Sequence, residues 1–147
     1  MTIGKGRSRV LVVHAAVVCT TLAAGCDSGP ALAPVSGTVT LDGKPLPFGV
    51  VNFQPDQGQG AQATIEAGGA FTLSTFKLSD GAIVGRHRIS VKCYQGHDPA
   101  YRAGKKPEGI SLGKSLIPPK FSRVGTSGLA VDVPPEGLSG YELKLGG

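Results

Sequence analysis

Apolar and polar residues alternate one by one in a series of short runs, and this period of two leaves little choice of fold. Val35, Gly37, Val39 and Leu41 interleave with Ser36, Thr38 and Thr40. Gly49, Val51 and Phe53 interleave with Val50, Asn52 and Gln54, and Ala61, Ala63 and Ile65 with Gln62, Thr64 and Glu66. Phe71 and Leu73 flank Thr72. A longer run from Arg86 to Tyr94 sets His87, Ile89, Val91 and Cys93 against Arg88, Ser90, Lys92 and Tyr94. Leu129, Val131 and Val133 follow, then Tyr141, Leu143 and Leu145. Successive side chains of a strand point to opposite faces, so each run reads as a strand with one apolar face. The punctuation agrees. Asp42-Gly43 suits a tight hairpin turn, Pro55 stops a strand and Gly68-Gly69 marks another turn. No segment sustains a helical period. A single sheet of these seven strands would leave its apolar face in water, and two sheets packed face to face remove that cost. The expected fold is all-β, a small antiparallel seven-stranded β-sandwich.

The first 25 residues are of a different kind. Lys5, Arg7 and Arg9 give a cationic start with no acidic residue before Asp27. Val10 to Val18 is apolar apart from His14, and the small residues Ala23, Ala24 and Gly25 precede Cys26. A basic start, a short apolar stretch and a small-residue cleavage site mark a secretory signal. The apolar part is shorter than the roughly 20 residues a membrane span needs. Leu22-Ala-Ala-Gly-Cys26 resembles the lipobox of bacterial lipoproteins. The resemblance implies cleavage between Gly25 and Cys26, a diacylglycerol thioether on Cys26 and palmitate-type acylation of the new amino terminus. It also implies export, with the lipid held in a cell membrane and the chain facing the periplasm or the cell exterior. The domain organisation is then a signal peptide over 1–25, a lipidated tether over 26–34 rich in Pro and small residues, and one β domain over 35–147.

Processing changes the charge and cysteine counts. The full chain carries 15 Lys and Arg against 10 Asp and Glu. Three of the basic residues lie in the signal, which leaves 12 against 10, or +2. The basic pI is partly a targeting effect and does not argue for nucleic-acid binding. Cys19 departs with the signal and Cys26 becomes a thioether, so Cys93 is left without an intrachain disulfide partner. A lone cysteine on an apolar strand face reads as a small buried hydrophobe rather than a reactive thiol.

The run Gly37-Thr-Val-Thr-Leu-Asp-Gly-Lys-Pro-Leu-Pro-Phe-Gly-Val-Val-Asn-Phe53 resembles the opening of carboxypeptidase regulatory-like domains. So do the Gly-Gly turn before Phe71-Thr72-Leu73, Asp80-Gly81, and Gly85-Arg-His-Arg-Ile-Ser-Val91. Ile117-Pro-Pro-Lys-Phe121 and Thr126-Ser-Gly-Leu129 are similar to segments of small bacterial lipoproteins of this type. The resemblance implies a transthyretin-like sandwich serving as an accessory or binding module without catalytic residues. One transthyretin-like branch hydrolyses 5-hydroxyisourate and carries a C-terminal Tyr-Arg-Gly-Ser signature. The corresponding stretch here is Tyr141-Glu-Leu-Lys-Leu-Gly-Gly147.

Other chemical motifs fall short. Gly109-Ile-Ser-Leu-Gly113-Lys-Ser115 has three residues between its glycines where a phosphate-binding loop has four, and no strand–helix unit surrounds it. His87, Cys93, His97 and Asp98 lack the close paired spacing of a metal site, and His87 on the apolar face reads as structural. No metal or other cofactor is expected. The long connection from Gln95 to Ser127 carries Arg102, Lys105, Lys106, Lys114, Lys120 and Arg123 against Asp98 and Glu108. Two readings stand. It is a loop for an anionic ligand, such as an acidic glycan or a lipid headgroup, or a solvated basic loop packed through Ile110, Leu112, Leu116 and Ile117. The second is the commoner fate of such charge. The function expected is a non-catalytic, membrane-anchored binding or structural module of the cell envelope. Its partners would be the membrane through Cys26 and an envelope protein or anionic glycan. The alternative is a hydrolase-type envelope enzyme with an unrecognised site.

Overall fold

A computed structural model describes residues 29–103 and 111–146, together with residues 2 and 4. Gly25, Cys26, Lys105, Lys106, Glu108 and Ile110 lie outside the described residues. The regular structure of the described chain is mostly β, with almost no helix, as the alternation predicts. The strands are β1 (Leu32–Ala33), β2 (Val35–Leu41), β3 (Lys44–Pro45), β4 (Gly49–Pro55), β5 (Ala61–Ile65), β6 (Ala70–Thr72), β7 (Ala82–Ile83), β8 (Gly85–Lys92), β9 (Leu129–Val133) and β10 (Leu138–Leu145). Seven of them match the seven runs. The other three, β1, β3 and β7, are two residues long and too short to show any period.

Two four-stranded sheets carry the fold. One has the order β5-β4-β8-β9 and is antiparallel throughout. In the other, β2 pairs with β3 and β6 antiparallel and with β10 parallel. The parallel pair departs from the all-antiparallel expectation. Its reason is topological: β10 arrives from β9 in the opposite sheet, so no hairpin fixes its direction. The pairing of β1 with β7 adds a small third sheet.

One core lies between the two sheets. The inward positions Val51, Phe53, Ile89, Val91, Val39, Leu143 and Leu145 are buried. Phe53 of β4 sits at the centre, with ring centroids 6.1 Å from Phe71 of β6 and 6.4 Å from Tyr141 of β10. These ring contacts join the two sheets. Cys93 is buried as expected, and burial pushes its thiol pKa up. His87 is wholly buried, 5.9 Å from the Phe53 ring. Its Nε2 lies 2.6 Å from the Ile83 carbonyl oxygen, and its Nδ1 has no partner. A proton on Nε2 donated to this oxygen satisfies the carbonyl. Ser90 is buried although it lies on the polar face of β8, because the 3-10 turn Pro119–Ser122 packs on that strand.

Gly37 owes its place to space. The parallel β10 comes so close that a Cβ there would run into the Tyr141 carbonyl oxygen, with the Phe71 ring at 3.0 Å on the other side.

Candidate functional site

The two histidines that a cleft would have to unite stand at opposite ends of β8. His87 is in the core near the start of the strand, and His97 lies beyond its end. The metal-ligand combination of His87, Cys93, His97 and Asp98 is therefore not assembled. Among the described residues no group of three His, Cys, Asp or Glu side chains could hold a metal ion.

Past β8 the chain turns through the 3-10 turn Gln95–His97 into a single helical turn, α1 (Pro99–Arg102). Both are locally encoded. The Asp98 carboxylate accepts the Ala100 N–H at 2.8 Å, and Pro99 stands at the first helical position, where its missing N–H is no loss. The His97 ring folds back, taking the Tyr94 N–H on Nδ1 at 3.2 Å and meeting the Tyr94 ring edge-on at 5.6 Å.

This corner forms one wall of a groove of about 850 Å³. His97, Asp98 and Arg102 face Pro47, Phe48 and Val50 at the start of β4 and Thr64 to Ala67 at the end of β5. A cation (Arg102), two carboxylates (Asp98 and Glu66) and an imidazole thus line an apolar floor. Such a lining suits a ligand that carries both apolar and charged groups. It contains no Ser or Cys nucleophile. Burial holds the His97 pKa below the ordinary 6.5, and the positive charges of Arg102 and Lys92 push the same way against a raising backbone contact with Lys92. The ring is therefore neutral at pH 7. A titration of His97 by NMR is expected to show a midpoint below 6.5, and Arg102→Ala to raise it only part of the way, because burial is the larger cause. A midpoint at or above 6.5 in the unmodified chain would contradict this. The sign for stability follows. The unfolded chain takes up the proton first, so His97 contributes nothing above its ordinary range and weakens the fold as pH falls through about 6.5.

Among the described residues, the basic side chains of the connection divide rather than forming one patch. Arg102 belongs to the groove just described. Lys120 and Arg123 border a smaller depression of about 400 Å³ with Tyr94, Ser115 and Thr126, where the Lys120 ammonium lies 4.8 Å from the Phe121 ring centroid. Lys114 is exposed beside Gln95, whose side-chain oxygen accepts the Lys114 N–H at 3.1 Å. The connection also docks on the domain. Gln95 and Gly96 donate their N–H groups to the carbonyls of Lys114 and Leu112, Leu116 donates to Cys93, and the Ser127 hydroxyl donates to the Ile89 carbonyl. Its buried anchors are Ile117 and Phe121. Leu112 and Leu116, expected to pack, are exposed instead. Backbone hydrogen bonds hold that stretch, so its side chains are free to face water.

Phe48 and Glu66 were not legible as site residues. Each belongs to an ordinary strand-end pattern, and only the pairing of β4 with β5 brings them opposite His97.

No family model matches the chain, and no curated protein or solved structure is found similar to it.

Proposed function

We propose that the chain is a membrane-anchored lipoprotein whose β domain, of the carboxypeptidase regulatory-like and transthyretin-like type, acts as a non-catalytic binding or structural module in the cell envelope. The carrying observation is Leu22-Ala-Ala-Gly-Cys26 behind a basic, apolar leader, six residues ahead of the first strand. Several acyl chains on Cys26 make a durable anchor where one chain binds reversibly. Within the domain, the groove at His97 offers Arg102 as a single cationic contact, and Glu66 and Asp98 as acceptors, to an envelope glycan or protein, with Phe48 supplying apolar contact.

The test is chemical. The full-length chain, expressed in a bacterial host, is expected to incorporate labelled palmitate and to yield an amino-terminal fragment whose mass is that of diacylglyceryl-Cys26. Cys26→Ser is expected to abolish both. A free, unmodified Cys26 thiol in the exported protein would refute the anchor. His97 beside Glu66 and Asp98 favours one alternative, a hydrolase using His97 as its acid–base group. Hydrolysis of envelope esters that His97→Ala abolishes would turn the reading that way.

A further inference from the structure

We propose that the loop from Thr75 to Asp80 is a second membrane contact, with Phe76 and Leu78 seated in the interface of the bilayer to which Cys26 ties the domain. The inference rests on the anchoring reading above and adds to it a defined orientation of the domain.

Two large apolar side chains stand in water on this loop. Phe76 is 58% exposed and Leu78 92% exposed. The loop is not slack. The Asp80 carboxylate accepts the N–H groups of Thr75, Phe76 and Lys77 at 2.6, 3.0 and 2.7 Å. The Ser74 hydroxyl accepts the Ser79 N–H at 2.8 Å, and the Thr75 hydroxyl donates to the Gly81 carbonyl at 2.7 Å. The three amides, Thr75 foremost, lower the Asp80 pKa, so the carboxylate keeps its charge and the loop its shape at neutral pH. A pinned loop presents its apolar tip instead of folding it away.

The position of the loop decides what covers it. Gly81, with φ of +88°, lies so close to Ala33 that a Cβ would strike the Ala33 carbonyl oxygen. Ala33 belongs to β1, which pairs with β7 two residues after the loop. The base of the loop thus stands beside β1, the strand from which the chain leaves for Cys26. Five residues lie between Cys26 and Leu32, and the six steps from one to the other reach about 20 Å at most. A lipid on Cys26 therefore keeps this end of the domain at the membrane surface, within reach of Phe76 and Leu78. Charge at this end selects the kind of contact. Lys77 and Asp80 lie in the loop itself, Asp56 follows β4, and Glu136 lies in the turn whose Gly137 approaches Pro34. The balance is acidic, so attraction to anionic lipid is not the driving force. The contact is apolar and independent of salt.

The chain contains no tryptophan, which makes a single introduced indole a clean reporter. Phe76→Trp and, separately, Leu78→Trp are placed in the lipidated full-length protein and reconstituted into phosphatidylcholine vesicles. Leu112→Trp, past the far end of β8, is the control. Emission from positions 76 and 78 is expected to shift to the blue. Lipids brominated on the upper acyl chain should quench it roughly twofold, consistent with burial about 5–10 Å into the interface. High salt should leave both effects unchanged, and Leu112→Trp should show neither. If the protein floats with the vesicles while the loop probes stay red and unquenched, the anchor stands and the second contact falls. A blue shift without bromine quenching means that another copy of the chain covers the loop, which also overturns the proposal. Failure to float removes the anchor and this inference with it.

Discussion

Phe53→Ala is expected to lower the stability of the domain by about 3–5 kcal/mol, the usual range for a fully buried aromatic truncated in a core. Phe53 has no exposed surface, and its ring is met from three strands by Phe71, His87 and Tyr141 at 6.1, 5.9 and 6.4 Å. Two of those partners belong to the opposite sheet, so truncation opens a hole at the junction of the two layers rather than at a rim that could collapse. Domains of this size are stable by about 5–15 kcal/mol in all, and the melting temperature should fall by roughly 15–25 °C. Phe53→Leu, which keeps most of the volume, should lose much less. Urea and thermal unfolding followed by circular dichroism measure both. A loss under about 1 kcal/mol for the alanine variant would mean that the sheets do not share this core.

Gly37→Val should be comparably damaging for the opposite reason. Nothing is removed, but the added side chain has no room between the Tyr141 carbonyl and the Phe71 ring. The collision is with backbone, so no rotamer change relieves it, and β10 must part from β2 over the six registered pairs that join them. Overpacking costs about 1–3 kcal/mol where side chains can adjust, and loss of the parallel pair takes this variant to the top of that range or past it. Gly125→Ala, with nothing within 4 Å of the added Cβ, is the control; it should stay within about 0.5 kcal/mol of the parent. Equal stability of the Gly37 and Gly125 variants would show that β10 does not pack against Gly37. Amide exchange in Tyr141 to Leu145 should rise sharply in the Gly37 variant alone, since those residues lose their neighbour.

The sequence by itself determined the strands and their inward faces. One-sided alternation is a local property, and Val51, Phe53, Ile89, Val91, Cys93, Leu143 and Leu145 are buried where the period of two put them. It also held the whole case for Cys26, which lies outside the described residues. Tertiary structure alone decided which strands become neighbours. The direction of β10 beside β2 depends on a crossing from the other sheet, and the two-residue strands β1 and β7 exist only because they meet each other. The six basic residues from Arg102 to Arg123 are one charged stretch in sequence. In space, Arg102 stands in the His97 groove and Lys120 and Arg123 border a second depression, because backbone hydrogen bonds to Cys93, Gln95 and Gly96, just past β8, fold the connection back on the domain. Phe76 and Leu78 follow the same logic in reverse. Their letters suggest core, but the carboxylate of Asp80 fixes their loop with the tip in solvent, and a contact made by three backbone N–H groups of a turn leaves no periodic trace.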